Sequence, residues 1–247
     1  MPNKTKVRPD DFNGIVIPYD ASFNELRAML CAPPPQCWVA FIALGYRPGG
    51  ESLRVLAEQL SSPDTHFRRA AVGAIATHPD GRELERDILE RLKDPSDQVV
   101  REACNTAASL GLRSAHDIII SLLDSSADST RIAAITALSD LWEDGDFQRL
   151  FTLYRREQEE IVRKEAAWVL RDRVGKKNWR ELFDCFLADE IPRHRTWACE
   201  LAGAFGMTDV EKVIQELLND QDGHVRRAAH DAIDRLKESA NSPTPQV

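Results

Sequence analysis

Apolar residues recur along this chain in short helical blocks of two alternating kinds. In the first kind, large side chains stand three or four apart: Leu53, Leu56 and Leu60; Leu84, Ile88 and Leu92; Ile119, Leu122 and Leu123; Phe147, Leu150, Phe151 and Tyr154; Leu182, Phe183, Phe186 and Leu187; Val210, Val213, Ile214 and Leu217. Such spacing predicts one buried stripe on an amphipathic helix. The second kind carries small residues in its middle. "DTHFRRAAVGAI" from Asp64, "DQVVREACNTAA" from Asp97 and "DGHVRRAAHDAI" from Asp222 share an acid, an arginine, a small pair and a closing apolar pair. Small side chains at a helix contact let the neighbouring helix come close.

With the arginine as anchor, the frame falls on Arg68, Arg101, Arg131, Arg163, Arg195 and Arg226, at gaps of 33, 30, 32, 32 and 31 residues. "QCWVAFIAL" fits one step earlier, with Cys37 in the arginine place and Ala43-Leu44 as the closing pair. This makes seven units of a repeat whose members cannot bury their apolar faces alone, the mark of an all-α solenoid. The expected organisation is a single solenoid over residues 22–238. An extension, residues 1–21, folds Ile15, Val16 and Ile17 over the first repeat as a cap, and 239–247 is a disordered tail. "GYRPGG", "HPDG", "EDGD" and "GMTD" supply the turns. Ser22 with Glu25, Asn178 with Glu181 and Thr208 with Glu211 have capping-box spacing, and Asp64, Asp97 and Asp222 stand where they would cap the second helices.

The frame D-x-x-V-R-x-A-A-x-x-A-L resembles HEAT repeats, in particular the short HEAT-like repeats of phycobilisome lyases, over nearly the whole chain. The resemblance implies a right-handed α-solenoid of about seven HEAT-like helical hairpins, with the second helices on the concave face. It also implies a ladder of hydrogen bonds between adjacent repeats, formed by Asp64, Arg68, Asp97, Arg101, Arg131, Arg163, Arg195, Asp222 and Arg226. The ladder should be irregular in units four and six, because Asp128 is one residue closer to Arg131 and Ile191 takes the aspartate place before Arg195. The family includes scaffolds, transport factors, chaperone-like lyases and a few enzymes, so the resemblance speaks to architecture more than to function.

Charge narrows the choice of partner. With 40 acidic against 32 basic residues the net charge is −8, which opposes a long grip on nucleic-acid phosphates and favours a protein partner. Apolar stretches are broken by charge, and "MPNKTKVRPDDFNG" lacks the apolar run of a signal peptide, so a soluble, unsecreted, cytoplasmic monomer is expected, with no membrane contact. Cys31, Cys37, Cys104, Cys185 and Cys199 form no C-x-x-C pair and read as reduced core thiols. Catalytic signatures are missing: there is no H-E-x-x-H, no Gly-rich phosphate loop and no G-x-S-x-G. No "HE" dipeptide offers the His-Glu metal ligands of deoxyhypusine hydroxylase, His224 and His230 are six apart, and "DLWEDGD" lacks EF-hand spacing. No catalytic residue, metal or cofactor is expected.

On the outward face of the second helices, the candidate partner-binding residues are Lys164, Trp168, Arg171, Arg173, Glu200, Arg227 and His230. Trp168 beside Lys164 and Arg171 has the composition of a binding hot spot, against the alternative that it packs on the neighbouring unit. Trp197 stands where the frame has alanine and reads as local repacking. From Arg163 to Arg180, seven basic residues (Arg163, Lys164, Arg171, Arg173, Lys176, Lys177, Arg180) face two acids, Glu165 and Asp172, which would either solvate a turn or meet an acidic partner. The leading expectation is a non-catalytic scaffold, adaptor or inhibitor that holds another protein on its concave face. The alternatives are a HEAT-like glycosylase for alkylated DNA bases, using Trp168, Trp197, Glu200, Arg163 and Arg171, and a bilin lyase or chaperone.

Overall fold

A computed structural model describes residues 9–241, with side chains described to residue 238. The chain divides into two compact units, Met1–Asp144 and Gly145–Val247. In the first, α1 (Phe23–Leu30), α3 (Gly50–Gln59), α5 (Glu85–Arg91) and α7 (His116–Leu122) alternate with α2 (Gln36–Gly45), α4 (Thr65–Thr77), α6 (Asp97–Leu110) and α8 (Asp128–Asp140). In the second, α9 (Asp146–Arg156), α11 (Trp179–Leu187) and α13 (Glu211–Glu216) alternate with α10 (Glu160–Arg173), α12 (Pro192–Phe205) and α14 (Gly223–Asn241). These pairs are the seven hairpins, and the fold is an all-α solenoid.

The small residues of the frame explain the packing. Ala71, Ala103 and Ala134 in the first unit, and Ala166, Ala198 and Ala229 in the second, are each the seventh residue of a second helix and have no exposed surface. A methyl at that place lets second helices stack directly, as where the Thr106 hydroxyl of α6 bonds the Val72 carbonyl of α4 at 3.1 Å. Gly111 and Gly206 end α6 and α12 in the left-handed region, at φ 63° and 62°, and their N–H groups turn back to helix carbonyls.

Starts of the second helices recur every 31 or 32 residues from α4 onward. Their fourth residues are Arg68, Val100, Arg131, Arg163, Arg195 and Arg226. The arginine anchor therefore slips by one in the third hairpin, where Arg101 points to solvent and the buried Val100 holds the register place. In α2 the fourth residue is Val39, so Cys37 does not hold the arginine place either. Three residues before each helix stands the second half of the device. Ser62, Asp94, Ser125, Glu157, Asp189 and Asp220 each accept the N–H two residues later, which fixes the turn. Arg68, Arg131, Arg195 and Arg226 each donate from one guanidinium nitrogen to the two carbonyls at the start of their own turn. The free side of Arg68 then grips Asp94 of the next hairpin with two bonds of 2.9 Å, and Arg195 grips Asp220 at 2.8 and 3.0 Å.

This link corrects the ladder implied by the resemblance. The acceptors of the arginine link lie two residues before the helix cap, so the sixth hairpin is regular despite Ile191; Asp97 is joined to the next hairpin by a different bond, from the Thr130 hydroxyl at 3.4 Å. Asp64 and Asp222 do accept helix N–H groups, at His66 and His224, each at 2.8 Å. Asp97 is the first residue inside α6, and Ser96 is its cap. Of the three capping boxes only Ser22/Glu25 forms; Asn178 makes no side-chain cap, and Thr208 lies inside a short 3-10 turn, Thr208–Val210.

At the N-terminal end, β1 (Asp11–Phe12) pairs antiparallel with β2 (Ile15–Val16) across an Asn13-Gly14 turn in which both residues have positive φ. Strand alternation splits the expected Ile15-Val16-Ile17 cap: Ile17 is buried, whereas Val16 is 76% exposed. Helix α14 runs on to Asn241, past the start of the expected tail, and residues 242–247 lie outside the described range. Cys37, Cys104 and Cys199 are buried, but Cys31 is exposed and is no core thiol. Val213, counted among the apolar stripes, is also exposed.

Candidate binding surface on the second unit

The core of the second unit departs from the repeat where α12 begins. The third residue of the other second helices from α6 onward is Val99, Thr130, Val162 or Val225, all buried; in α12 it is His194, with no exposed surface. An imidazole in that place needs partners. Its Nδ1 lies 2.9 Å from Asp189 and 3.3 Å from the Tyr154 hydroxyl, and Tyr154 donates to Asp189 at 2.5 Å. Asp189 also accepts the Ile191 N–H at 2.9 Å. Burial alone would push its carboxyl up, but the His194, Tyr154 and Ile191 bonds outweigh it and hold Asp189 at about 2. Burial and the bond to Asp189 push the Tyr154 phenol up.

The His194 ring packs at 5.4 Å on both Phe186 and Trp197, which also meet each other at 5.8 Å, so the three rings form one triangular cluster. Trp197, only 3% exposed, fills the sixth place of α12, where alanine stands in α4, α8 and α14. Among the described residues neither Trp197 Nε1 nor His194 Nε2 has a hydrogen-bond partner. Trp168 of α10 meets Trp197 edge-on at 5.9 Å yet remains 54% exposed, so it both packs on its neighbour and presents a large apolar surface. The guanidinium groups of Arg171 and Arg193 lie 5.5 and 5.4 Å from the Trp197 ring centre. Lys164, Glu165, Trp168, Arg193, His194 and Trp197 surround a hollow of about 290 Å³.

Two members of this surface escaped the sequence reading. Ile161 is 64% exposed and stands seven residues before Trp168, hence on the same face of α10. Arg193 is exposed and makes no ion pair among the described residues. Counting outward places from a helix start, not from the arginine, would have found both.

Other expected members are elsewhere or already engaged. Glu200 accepts two bonds from Arg171, at 2.7 and 3.1 Å, and this pair lines a neighbouring groove of about 540 Å³ with Asp231 and Arg235. Arg173 lies near Asp172, and Arg227 and His230 are exposed on α14; none of the three lines the hollow. The basic run is largely neutralised: Arg163 pairs with Glu190, Lys164 with Glu160, Arg171 with Glu200, Arg173 with Asp172, and Arg180 with Asp184 and Asp209. Five of its seven basic residues are thus paired, and Lys176 and Lys177 are exposed. Of the residues offered for a glycosylase, Trp197 is buried, Glu200 and Arg171 are bonded to each other, and Arg163 is bonded to Glu190. Among the described residues no cluster of three His, Cys, Asp or Glu side chains could hold a metal, and no helix is long and apolar enough to cross a membrane.

Comparison with known proteins agrees with the fold. The family model for HEAT repeats matches residues 85–171 and 180–244. No curated protein sequence matches the chain. Among solved structures, it is similar to an archaeal HEAT-like repeat protein from Thermococcus onnurineus NA1 (16% identity, TM-score 0.54, covering 89% of this chain and 98% of that one). It is also similar to the CpcE–CpcF complex of phycocyanin lyase from Nostoc sp. PCC7120 (18% identity, TM-score 0.51, 92% and 97% covered). The Kap95:Nup1 complex matches with TM-score 0.62 at 15% identity, where the aligned region is 91% of this chain and 37% of that one.

Proposed function

This chain belongs to the HEAT-repeat family, and we propose that it is a non-catalytic protein-binding module whose partner docks on the second helices of the second unit, along the concave face of the stack. The observation that carries this reading is the pair Ile161 and Trp168. They are two of the few large apolar side chains left exposed, and they share one helix face. Two helical turns separate them, roughly 10 Å, a span that suits two anchors from a helix or an extended segment. Lys164 and the unpaired Arg193 flank them and form a polar rim. Trp168 rests edge-on against the buried Trp197 of the Trp197–His194–Phe186 cluster, a contact that limits the freedom it loses when covered.

The solved complexes with similar folds include one of Kap95 with Nup1, which fits a partner-holding role without identifying a partner here. The test is capture from a lysate of the source organism with the wild-type chain and with Ile161→Ser/Trp168→Ala, both checked for helicity by circular dichroism. A protein retained by the wild type and lost by the variant supports the reading. Equal retention by both contradicts the site.

A further inference from the structure

A large hollow in the first unit serves no purpose in the proposed docking surface. It measures about 770 Å³ and is walled by α2, by α4 and by the N-terminal hairpin with Pro9 and Pro34. The two helices are clamped together at one end, where a Cβ on Gly45 would lie 2.7 Å from the Ala74 carbonyl oxygen. Near the start of these helices aromatic rings fill the wall: Trp38 packs against Phe67 at 5.6 Å and Phe41 against Phe67 at 5.5 Å. Phe12 reaches in from the hairpin and Tyr46 from the end of α2. A volume between roughly 300 and 1,000 Å³, apolar walls and a few convergent polar groups are the attributes of small-molecule sites.

The charge of the lining selects the ligand. Arg69 is the one lining residue with a fixed charge, and it makes no ion pair among the described residues. His66 stands beside it on α4, one turn earlier. An opposing acid is Glu102 of α6, whose carboxyl folds over Gly73 and interacts electrostatically with Arg69. Burial raises the Glu102 carboxyl from its ordinary value, and the charges of Arg69 and Arg101 oppose that rise.

We propose that this cleft binds a small amphipathic carboxylate, with its aliphatic or aromatic body among Phe12, Trp38, Ile42 and Tyr46 and its carboxylate on Arg69. An exposed guanidinium at the rim of an apolar cleft, with no ion pair among the described residues, favours an anion over the isosteric alcohol through a charge-assisted hydrogen bond. The site lies in the first unit and stands or falls independently of the docking surface.

Calorimetric titration of the full chain with decanoate, decanol and decyltrimethylammonium tests it. Decanoate should bind with one-to-one stoichiometry at least about tenfold more tightly than decanol, the effect of one charged hydrogen bond. Arg69→Gln should bring decanoate down to the affinity of decanol while leaving decanol binding unchanged, which also shows that the cleft is intact. Glu102→Gln should tighten decanoate. Binding of the ammonium compound as tightly as decanoate, or the same decanoate affinity in Arg69→Gln, would overturn the proposal, as would no saturation of the folded wild type below about 1 mM.

Discussion

Replacing Asp189 by asparagine removes the one charge that Tyr154, His194 and the Ile191 N–H all address, and Arg163 lies 3.7 Å away as well. The side chain is 8% exposed, so the charge has little water to fall back on. Removing one partner of such a buried charged network costs about 3 kcal/mol. The pH dependence is the sharper test. Asp189 is held at about 2 in the folded chain against an ordinary 3.8. A carboxylate with a depressed folded pKa contributes stability that is complete above its unfolded pKa and is lost as pH falls towards the folded value. At about pH 3 roughly 1 kcal/mol of that contribution is gone, whereas at about pH 5 it is nearly intact. Urea unfolding of wild type and Asp189→Asn should therefore give stability curves about 3 kcal/mol apart at about pH 5, narrowing by about 1 kcal/mol at about pH 3. A gap that is constant or that widens with acid would refute the assignment of Asp189 as a charged hub.

The link between hairpins predicts a contrast between two arginines: Arg68→Ala strips the buried Asp94 of its main partner and should cost about 2 kcal/mol, while Arg101→Ala should stay within about 0.5 kcal/mol by urea unfolding. Ala134→Leu pushes an isobutyl group into the seventh place of α8, which has no exposed surface, and should lower stability by about 1–3 kcal/mol, read as a lower thermal midpoint. Trp197→Ala should cost about 3–5 kcal/mol because it opens a cavity beside His194 and Phe186, whereas Trp168→Ala should cost less than half as much while weakening partner binding about thirtyfold, measured by calorimetry once a partner is purified.

The architecture was legible because the pattern repeats. Helix periodicity and a small residue in the same place predicted the paired helices, and seven hairpins are present. Register was harder, because it was read from the most conspicuous side chain. In α6 an arginine follows the register valine, and Arg101 and Val100 cannot be told apart until the helix start is fixed by Ser96. The acceptors Asp94, Asp189 and Asp220 stand in turns, where no periodicity marks them, whereas Asp64, Asp97 and Asp222 have the spacing of helix caps. Of the candidate site, Trp168 and Lys164 were visible as outward residues, but pairing is a fact of three dimensions. The sequence could not reveal that Glu200 is 29 positions from its partner Arg171, nor that Arg193 lies over Trp197 and makes no ion pair among the described residues. The aromatic cleft of the first unit was invisible for the same reason, since Phe12, Trp38 and Arg69 meet only when the hairpin folds back on α2 and α4.

Site-specific photo-crosslinking tests the central claim most directly. With benzoylphenylalanine in place of Lys164, beside Trp168, the account predicts an adduct with the captured partner, and none when the same group replaces the exposed Asp117 on α7. Adducts from position 117 with none from 164 would place the partner elsewhere and contradict the account.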